Sequence, residues 1–470
     1  MHRVSDHLNE RHPYQDLPFK ESYNPKEITK AFGSRAVPKF AELLIMDDLS
    51  DEDRVSALHE LHELLSNQET KYTASTHEIL FSCADLADSR SADVRQNAAL
   101  VVASLVLFEN DKVDGLSNDT MLRAATVLLS DSEELVVTAA LTIFRNLTIS
   151  NEGVLLVTKR DDVVEKLAAV IMTRPVKQIT LPVLLLAVQV LANITRMFKG
   201  ASVCMQFPIV APVLEILKWS VLYSAEIILQ AVLVISNAAV HGQGKREAIE
   251  MGAVELCLKV LSKVLLAQSI RCANDDAQVE LVRTLVGAVM ALSTSEDAKP
   301  RVVEFGVEPL VACLKHKDAS VRKNAGIAVN SACESPLGAA RFTRALLADA
   351  KLLVEVLGVK AISALNKSLS GADEDDKLSA LVALAALMKC GEAEATAHGV
   401  VQCLGMIENI VALLADSQRD ICQQASEALQ RIVEVDEQPA KRVAKAMQKH
   451  GVSEGEFSRI MGASSLGGAN

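Results

Sequence analysis

Three clusters in the chain have residue types that could do chemistry. The run His59-Glu60-Leu61-His62-Glu63 places two imidazoles among carboxylates, the ingredients of a zinc hydrolase. A metalloprotease helix needs its histidines four residues apart on one face, with glutamate directly after the first. Here they are three apart and no third ligand is apparent, so polar, half-buried positions on a helix are expected. Gly242-Gln243-Gly244-Lys245 has the glycines and lysine of a phosphate loop. That loop also needs a glycine five residues before its Gly-Lys pair and a hydroxyl after the lysine, and Ala239 and Arg246 stand there instead. An ordinary turn is expected. Asp373-Glu374-Asp375-Asp376 is a contiguous acidic run, whereas a calcium loop alternates its ligands around an obligatory glycine. It reads as a solvated helix start.

No serine elbow, paired-carboxylate cleft or dinucleotide fingerprint appears. The expectation is a protein that is not an enzyme, with no cofactor, no metal and no small-molecule substrate. The formal net charge of −12 disfavours both nucleic acid and an anionic membrane surface as partners. Nine cysteines stand singly with no Cys-x-x-Cys pair, which fits a reducing compartment without a zinc ribbon or disulfide framework. The start of the chain is polar. The longest apolar stretch, Leu181 to Leu191, contains Gln189 and is shorter than the roughly 20 residues a membrane span needs. A soluble, cytoplasmic protein is expected. In that setting the sequons Asn146-Leu147-Thr148 and Asn193-Ile194-Thr195 carry no meaning as glycosylation sites.

The elements that would position any site are helices. Half the residues are hydrophobic (50%) but only 3% are aromatic, which favours helices packed through Leu, Ala and Val over β-sandwich cores. One pattern recurs: an acidic turn, an apolar residue opening a helix, Ala four residues on, and an apolar residue at eleven. Copies open at Arg54, Val94, Val136, Val183, Ile227, Leu281, Val321, Leu378 and Ile421, between 40 and 57 residues apart. Positions zero, four, eight and eleven share one helical stripe, which stacked neighbours must bury. Another apolar helix precedes each, as at Val254 to Leu266. Two long intervals hold insertions, at 262–278 and 359–376. Gly252 and Gly306 are expected to end helices in the left-handed conformation, with Pro309 in the next first turn. The acidic residues before the repeat helices are expected to cap them and complement their dipoles.

The Gly-x-x-x-Leu-x-x-Leu lead-in, the short acidic turn and the helix with Ala at four and Asn-Leu at ten and eleven resemble armadillo repeats. The resemblance runs from Ala31 to Glu434 and implies an all-α fold, an armadillo-type α-solenoid forming a right-handed superhelix of about nine repeats. A narrower likeness joins Ala31-Phe32-Gly33-Ser34-Arg35-Ala36-Val37-Pro38-Lys39, Leu43-Leu44, Arg54-Val55-Ser56-Ala57-Leu58 and Leu61. This is similar to the opening of the armadillo-repeat radial spoke proteins of motile cilia, the rhabdoid tumour deletion region family, and Pro309 to Leu357 resembles that family's later repeats. It implies a structural subunit of the axoneme, in cilium or flagellum, whose partners are other spoke proteins.

In armadillo proteins the last helix of each repeat lines a concave groove, and position ten faces into it. That position holds Ser104, Asn146, Asn193, Asn237 and Ser331, with Ala291, Met388 and Arg431 in the remaining copies. An asparagine ladder could pair with the backbone of an extended peptide, or else bridge helices within the repeats. Import adaptors of this fold add a tryptophan array; here the single tryptophan, Trp219, lies outside the last-helix set. The domain organisation expected is a polar extended arm over 1–30, the repeat array over 31–435, a basic helix or cap over 436–461 and a disordered tail over 462–470. Lys441, Arg442, Lys445 and Lys449 would give that helix a contact for an acidic partner.

Overall fold

The computed structural model describes residues 36–107, 119–271, 276–346, 359–389 and 393–462, together with Leu352 and Val356. The N-terminal arm, residues 31–35 of the family-like opening and the tail from 463 lie outside the described residues. Among the described residues every regular element is an α- or 3-10 helix and there is no strand. We number the nine helices that carry the repeated pattern α1 (Asp51–Leu64), α2 (Ala92–Leu105), α3 (Glu134–Leu147), α4 (Leu181–Thr195), α5 (Ala225–Ala238), α6 (Asp276–Ser293), α7 (Ala319–Ala332), α8 (Glu374–Lys389) and α9 (Arg419–Val435).

By packing, the chain divides into two compact units, residues 1–174 with 179–194, and residues 175–178 with 195–470. In the first, α1 packs on α2 and α2 on α3; in the second, α5 packs on α6, α6 on α7 and α8 on α9. The expected stripe is what they bury. Val136, Ala140, Phe144 and Leu147 of α3 are all buried, as are Val321, Ala325, Val329 and Ala332 of α7. Each fully buried aliphatic or aromatic side chain contributes about 1.5–3 kcal/mol, while the alanines let the helix axes approach.

Several expectations are corrected. Helix α8 opens its stripe two residues earlier than Leu378: Ala380, Leu384 and Leu387 are buried, while Val382, the position-four residue of the expected register, is 47% exposed. Met388 is therefore not the position-ten residue. The described parts of both expected insertions are largely helical, and residues 272–275 lie outside the described residues. Residues 262–271 continue the helix Ala253–Arg271, and residues 359–369 form the helix Val359–Leu369, which packs on Pro336–Leu346 and α8. Gly252 does take the left-handed conformation (φ 86°), but Gly306 has φ −104°. Gly306 is required by space instead: a Cβ there would stand 2.5 Å from the Val302 carbonyl oxygen and press on Leu258 and Leu310.

A second close approach recurs at the start of three of the copies. Gly153, Gly244 and Gly338 sit in the first turn of the helix that follows a repeat helix, against the carbonyl that ends it. An added Cβ would fall 1.9 Å from Leu147 O, 2.7 Å from Ala238 O and 2.1 Å from Ala332 O, respectively. Ser150 and Ser335 fix two of these turns by accepting from the Gly153 and Gly338 amides at 3.1 and 3.0 Å. This is the role of the second glycine in the phosphate-loop look-alike: Gly244 is packed against Met205 and Ala238, and Lys245 Nζ donates to Thr294 Oγ1 at 2.8 Å.

The acidic turns do more than cap. Arg95, one residue into the stripe of α2, makes a two-pronged bond to Asp131 in the turn before α3, with Nε and Nη2 at 2.7 and 3.0 Å. Arg283 of α6 reaches Asp318 before α7 at 2.8 Å, and Lys377 of α8 reaches Asp416 before α9 at 3.4 Å. Each aspartate also caps its own turn, accepting from the amides of Glu133, Val321 and Gln418. One carboxylate thus ties the start of a helix to the helix packed beside it.

Two measurements test these devices. Gly153→Ala and Gly338→Ala should each lower stability by about 1–3 kcal/mol in urea unfolding, because backbone must move to admit the methyl. Gly242→Ala, with nothing within 4 Å of the new carbon, should change it by less than about 0.5 kcal/mol. The second concerns acid. The Arg283 hydrogen bond, followed by the Val321 amide, holds Asp318 down to a pKa of about 2; Asp131 is lowered chiefly by Arg95 and Asp416 chiefly by the Gln418 amide. Depressed folded-state values mean that this stabilisation is complete above the unfolded carboxyl range near about 4 and is lost as pH falls towards about 2. Over that window the melting temperature of the wild type should fall more steeply than that of Asp318→Asn.

Candidate protein interface

The position-ten side chains reach the preceding repeat helix. In the first unit Ser104 Oγ lies 3.1 Å from His62 Nδ1, across α2 and α1. Asn146 is 3% exposed. Its Nδ2 donates to Ala103 O at 2.8 Å, and its Oδ1 accepts from Arg145 Nε and Nη2 at 3.1 and 2.8 Å. Asn193, half-buried, donates to Thr148 Oγ1 at 3.2 Å. In the second unit Asn237, also half-buried, donates to Thr195 Oγ1 at 3.3 Å, and Ser331 Oγ donates to Ser293 O at 2.5 Å. Arg431 Nη1 donates to Ala385 O at 3.1 Å. Asn146 and Arg431 therefore make the same contact, one residue before position ten of the copy behind, once α8 is placed in its corrected register.

The signal for this was in the sequence. Asn-x-Thr recurs because the asparagine of one copy meets the threonine of the copy before it: the two sequons supply Thr148 to Asn193 and Thr195 to Asn237. Thr148 also donates to Phe144 O at 2.7 Å, so its hydroxyl is oriented to accept. Asn146 cannot at once be buried in this way and present its amide to a peptide, whereas Asn193 and Asn237 keep part of their surface open.

The basic C-terminal segment folds as the helix Glu437–Lys449, followed by Glu454–Met461. Pro439, Ala440, Val443, Ala446 and Met447 form its buried face, and the helix packs on α9. Lys441, Arg442, Lys445 and Lys449 are exposed on the other side. Lys441 is held by Glu437 at 2.5 Å, one turn away. The helix is both a cover for α9 and a cationic face.

The remaining chemistry-bearing residues are placed as follows. His59 pairs with Glu63 at 3.6 Å, while burial lowers the pKa of His62 below its usual value. The seven described cysteines form no disulfide with one another, and burial pushes the Cys83, Cys204, Cys257 and Cys313 thiols up to about 12. A cleft of about 380 Å³ in the first unit is lined by Asp131, Glu134, Lys166 and Arg174 among others. Its carboxylates are engaged, Asp131 by Arg95 and Glu134 by Thr180. Among the described residues no group of three or more His, Cys, Asp or Glu could hold a metal ion, and no single helix is long and apolar enough to cross a membrane.

Asn146→Ala would leave the Ala103 carbonyl and the Arg145 guanidinium without a buried partner. Denaturant unfolding should show a loss of about 1–3 kcal/mol, against about 1 kcal/mol for Asn193→Ala at its half-buried site.

No protein-family model and no curated protein matches this chain. Among solved structures, an engineered protein determined by crystallography as a structural-genomics target superimposes with a TM-score of 0.56 at 18% sequence identity, covering 91% of this chain and 97% of that one. At that identity the likeness shows the fold alone, one whose regular elements are all helical among the described residues.

Proposed function

We propose that the chain is a non-catalytic protein–protein interaction scaffold of the armadillo type, and specifically a structural subunit of the radial spoke in the axoneme of motile cilia or flagella. The observation that carries the scaffold reading is where its polar side chains go. Asn146, Asn193, Asn237, Ser331, Arg95 and Arg283 all bond from one repeat helix to another or to the turn beside it. Such a chain is built to hold its own form, which suits a part that positions other proteins. The spoke assignment rests on the sequence resemblance at 31–61 and 309–357. Other spoke proteins would be its partners, met through exposed edges and the cationic C-terminal helix.

A second reading is a soluble adaptor that binds extended peptides of cargo or signalling partners along the position-ten row. The observation favouring it is that Asn193 and Asn237 stay only half-buried.

Fractionation of motile cilia separates the two. After detergent extraction and salt washes, the spoke subunit should remain with the axoneme in fixed ratio to other spoke proteins. Recovery mainly in the soluble fraction, or outside cilia, would sink the spoke assignment and favour the adaptor.

A further inference from the structure

The turn before α5 departs from the repeat. Before α2, α3, α7 and α9 the corresponding turns are polar: Asp88-Ser89-Arg90-Ser91, Asp131-Ser132-Glu133, Lys317-Asp318 and Asp416-Ser417-Gln418. Before α5 the chain reads Trp219-Ser220-Val221-Leu222-Tyr223. The helix Val210–Lys218 ends at Trp219, and Ser220–Leu222 forms a 3-10 turn closed by Leu222 N donating to Trp219 O at 2.9 Å. Ser220 points inward and is buried, which turns its neighbours out: Val221 is 77% and Leu222 55% exposed. Single exposed apolar residues are common, but two in succession beside a half-buried tryptophan make a patch.

Cations surround it. Lys177 Nζ stands 3.1 Å above the centre of the Trp219 ring and Lys218 Nζ lies 5.9 Å from it. Both lysines are exposed, and neither pairs with a carboxylate among the described residues. The acidic groups nearby are Glu215, which acts on Tyr223, and Glu226 in the first turn of α5, which already has an interaction. The indole attracts both ammonium groups by cation–π interaction and so keeps them beside an apolar step. On a chain of net charge −12, an anionic segment is repelled in general, so a locally cationic, apolar site selects where it can approach.

We propose that the turn Trp219–Tyr223, with Lys177 and Lys218, is a docking surface for an acidic segment of a partner protein, its apolar side chains seated on Val221 and Leu222. This rests on the reading of the chain as a binding scaffold and assigns one contact to it. Tryptophan and tyrosine flanking a small apolar centre are the residue types that dominate binding energy at interfaces.

The test uses the full chain and a phage-displayed library of random peptides about twelve residues long. Enriched peptides should combine Asp or Glu with Leu, Ile or Phe, and should change the fluorescence of Trp219, the sole tryptophan. Affinity should fall about tenfold in Lys177→Glu/Lys218→Glu and in Val221→Ser/Leu222→Ser, and weaken with added salt. All four substitutions are at exposed positions, and circular dichroism checks that each variant keeps its helices. The proposal is overturned if no peptide is enriched, if the enriched peptides are basic, or if they bind both variants like the wild type. It is overturned equally if the variants abolish self-association, which would make a second copy the occupant. A chain found only in the soluble fraction of cilia that still takes acidic peptides here would lose the spoke assignment and keep the surface; an axonemal chain that takes none would lose only the surface.

Discussion

How near two helices can come governs the rest of this structure. The alanines at position four of the buried stripe, Ala98 of α2 and Ala325 of α7 among them, remove side-chain bulk from the faces that the helices bury. Small residues at such a crossing allow helix axes to approach towards the short end of the usual separation of about 8–10 Å. At that separation a short amide such as Asn146 can reach a carbonyl on the neighbouring helix, and an arginine can reach the next turn. A leucine at the same position would widen the gap and break the polar contacts as well as the packing. Gly153, Gly244 and Gly338 at the start of three copies obey the same rule, since the chain turns back so tightly there that even a methyl group meets a carbonyl.

Close approach alone does not choose a register, because apolar burial has no direction. The direction comes from the polar groups. A buried donor left unmatched costs about 1–3 kcal/mol, so a slip of one residue that parted Asn146 from Ala103 O, or Arg95 from Asp131, would be penalised at each site. These bonds are therefore better understood as a specification of which residue sits beside which than as a large source of net stability. They also account for part of the acidic excess. Asp131, Asp318 and Asp416 are counter-charges to cations and caps for amides, so they do not add up to a free anionic surface.

What the sequence made legible follows from this division. The stripe was readable because burial imposes a 3.6-residue period on residue types, and α2, α3, α5, α7 and α9 match it residue for residue. It misled at α8, where Leu378, Val382 and Leu381 are all apolar and hydropathy alone could not tell the buried frame from the exposed one; Ala380 at position four was the mark that decided it. The described parts of the two expected insertions are largely helical because a helix that outruns its neighbour changes the interval without breaking the period. The role of Asn146 was the hardest to read. Asparagine offers the same donors to a peptide in a groove as to a carbonyl on the next helix, and only burial distinguishes them. For Asn193 and Asn237 the spacing from the Thr of the sequons carried the answer, but Asn146 meets a backbone carbonyl, and a relation between residues in different copies has no local signature.

A repeat array also changes how function should be sought in it. Where a position serves the same packing task in every copy, its residue type reports on the fold, and this holds for the stripe, the turn aspartates and most of the position-ten row. Specificity towards other molecules must then sit where a copy breaks the pattern without a packing reason. The turn at Val221-Leu222 does so by exchanging polar for apolar residues in solvent, and the helix Glu437–Lys449 does so by setting Arg442, Lys445 and Lys449 on the open side of a buried apolar face. Both departures put positive charge on an acidic chain. Electrostatic attraction that is local against a repulsive background favours one orientation of approach over all others. Polar groups committed to the repeats are held inside the packing, so these two departures stand out as surface features that the repeat itself does not require.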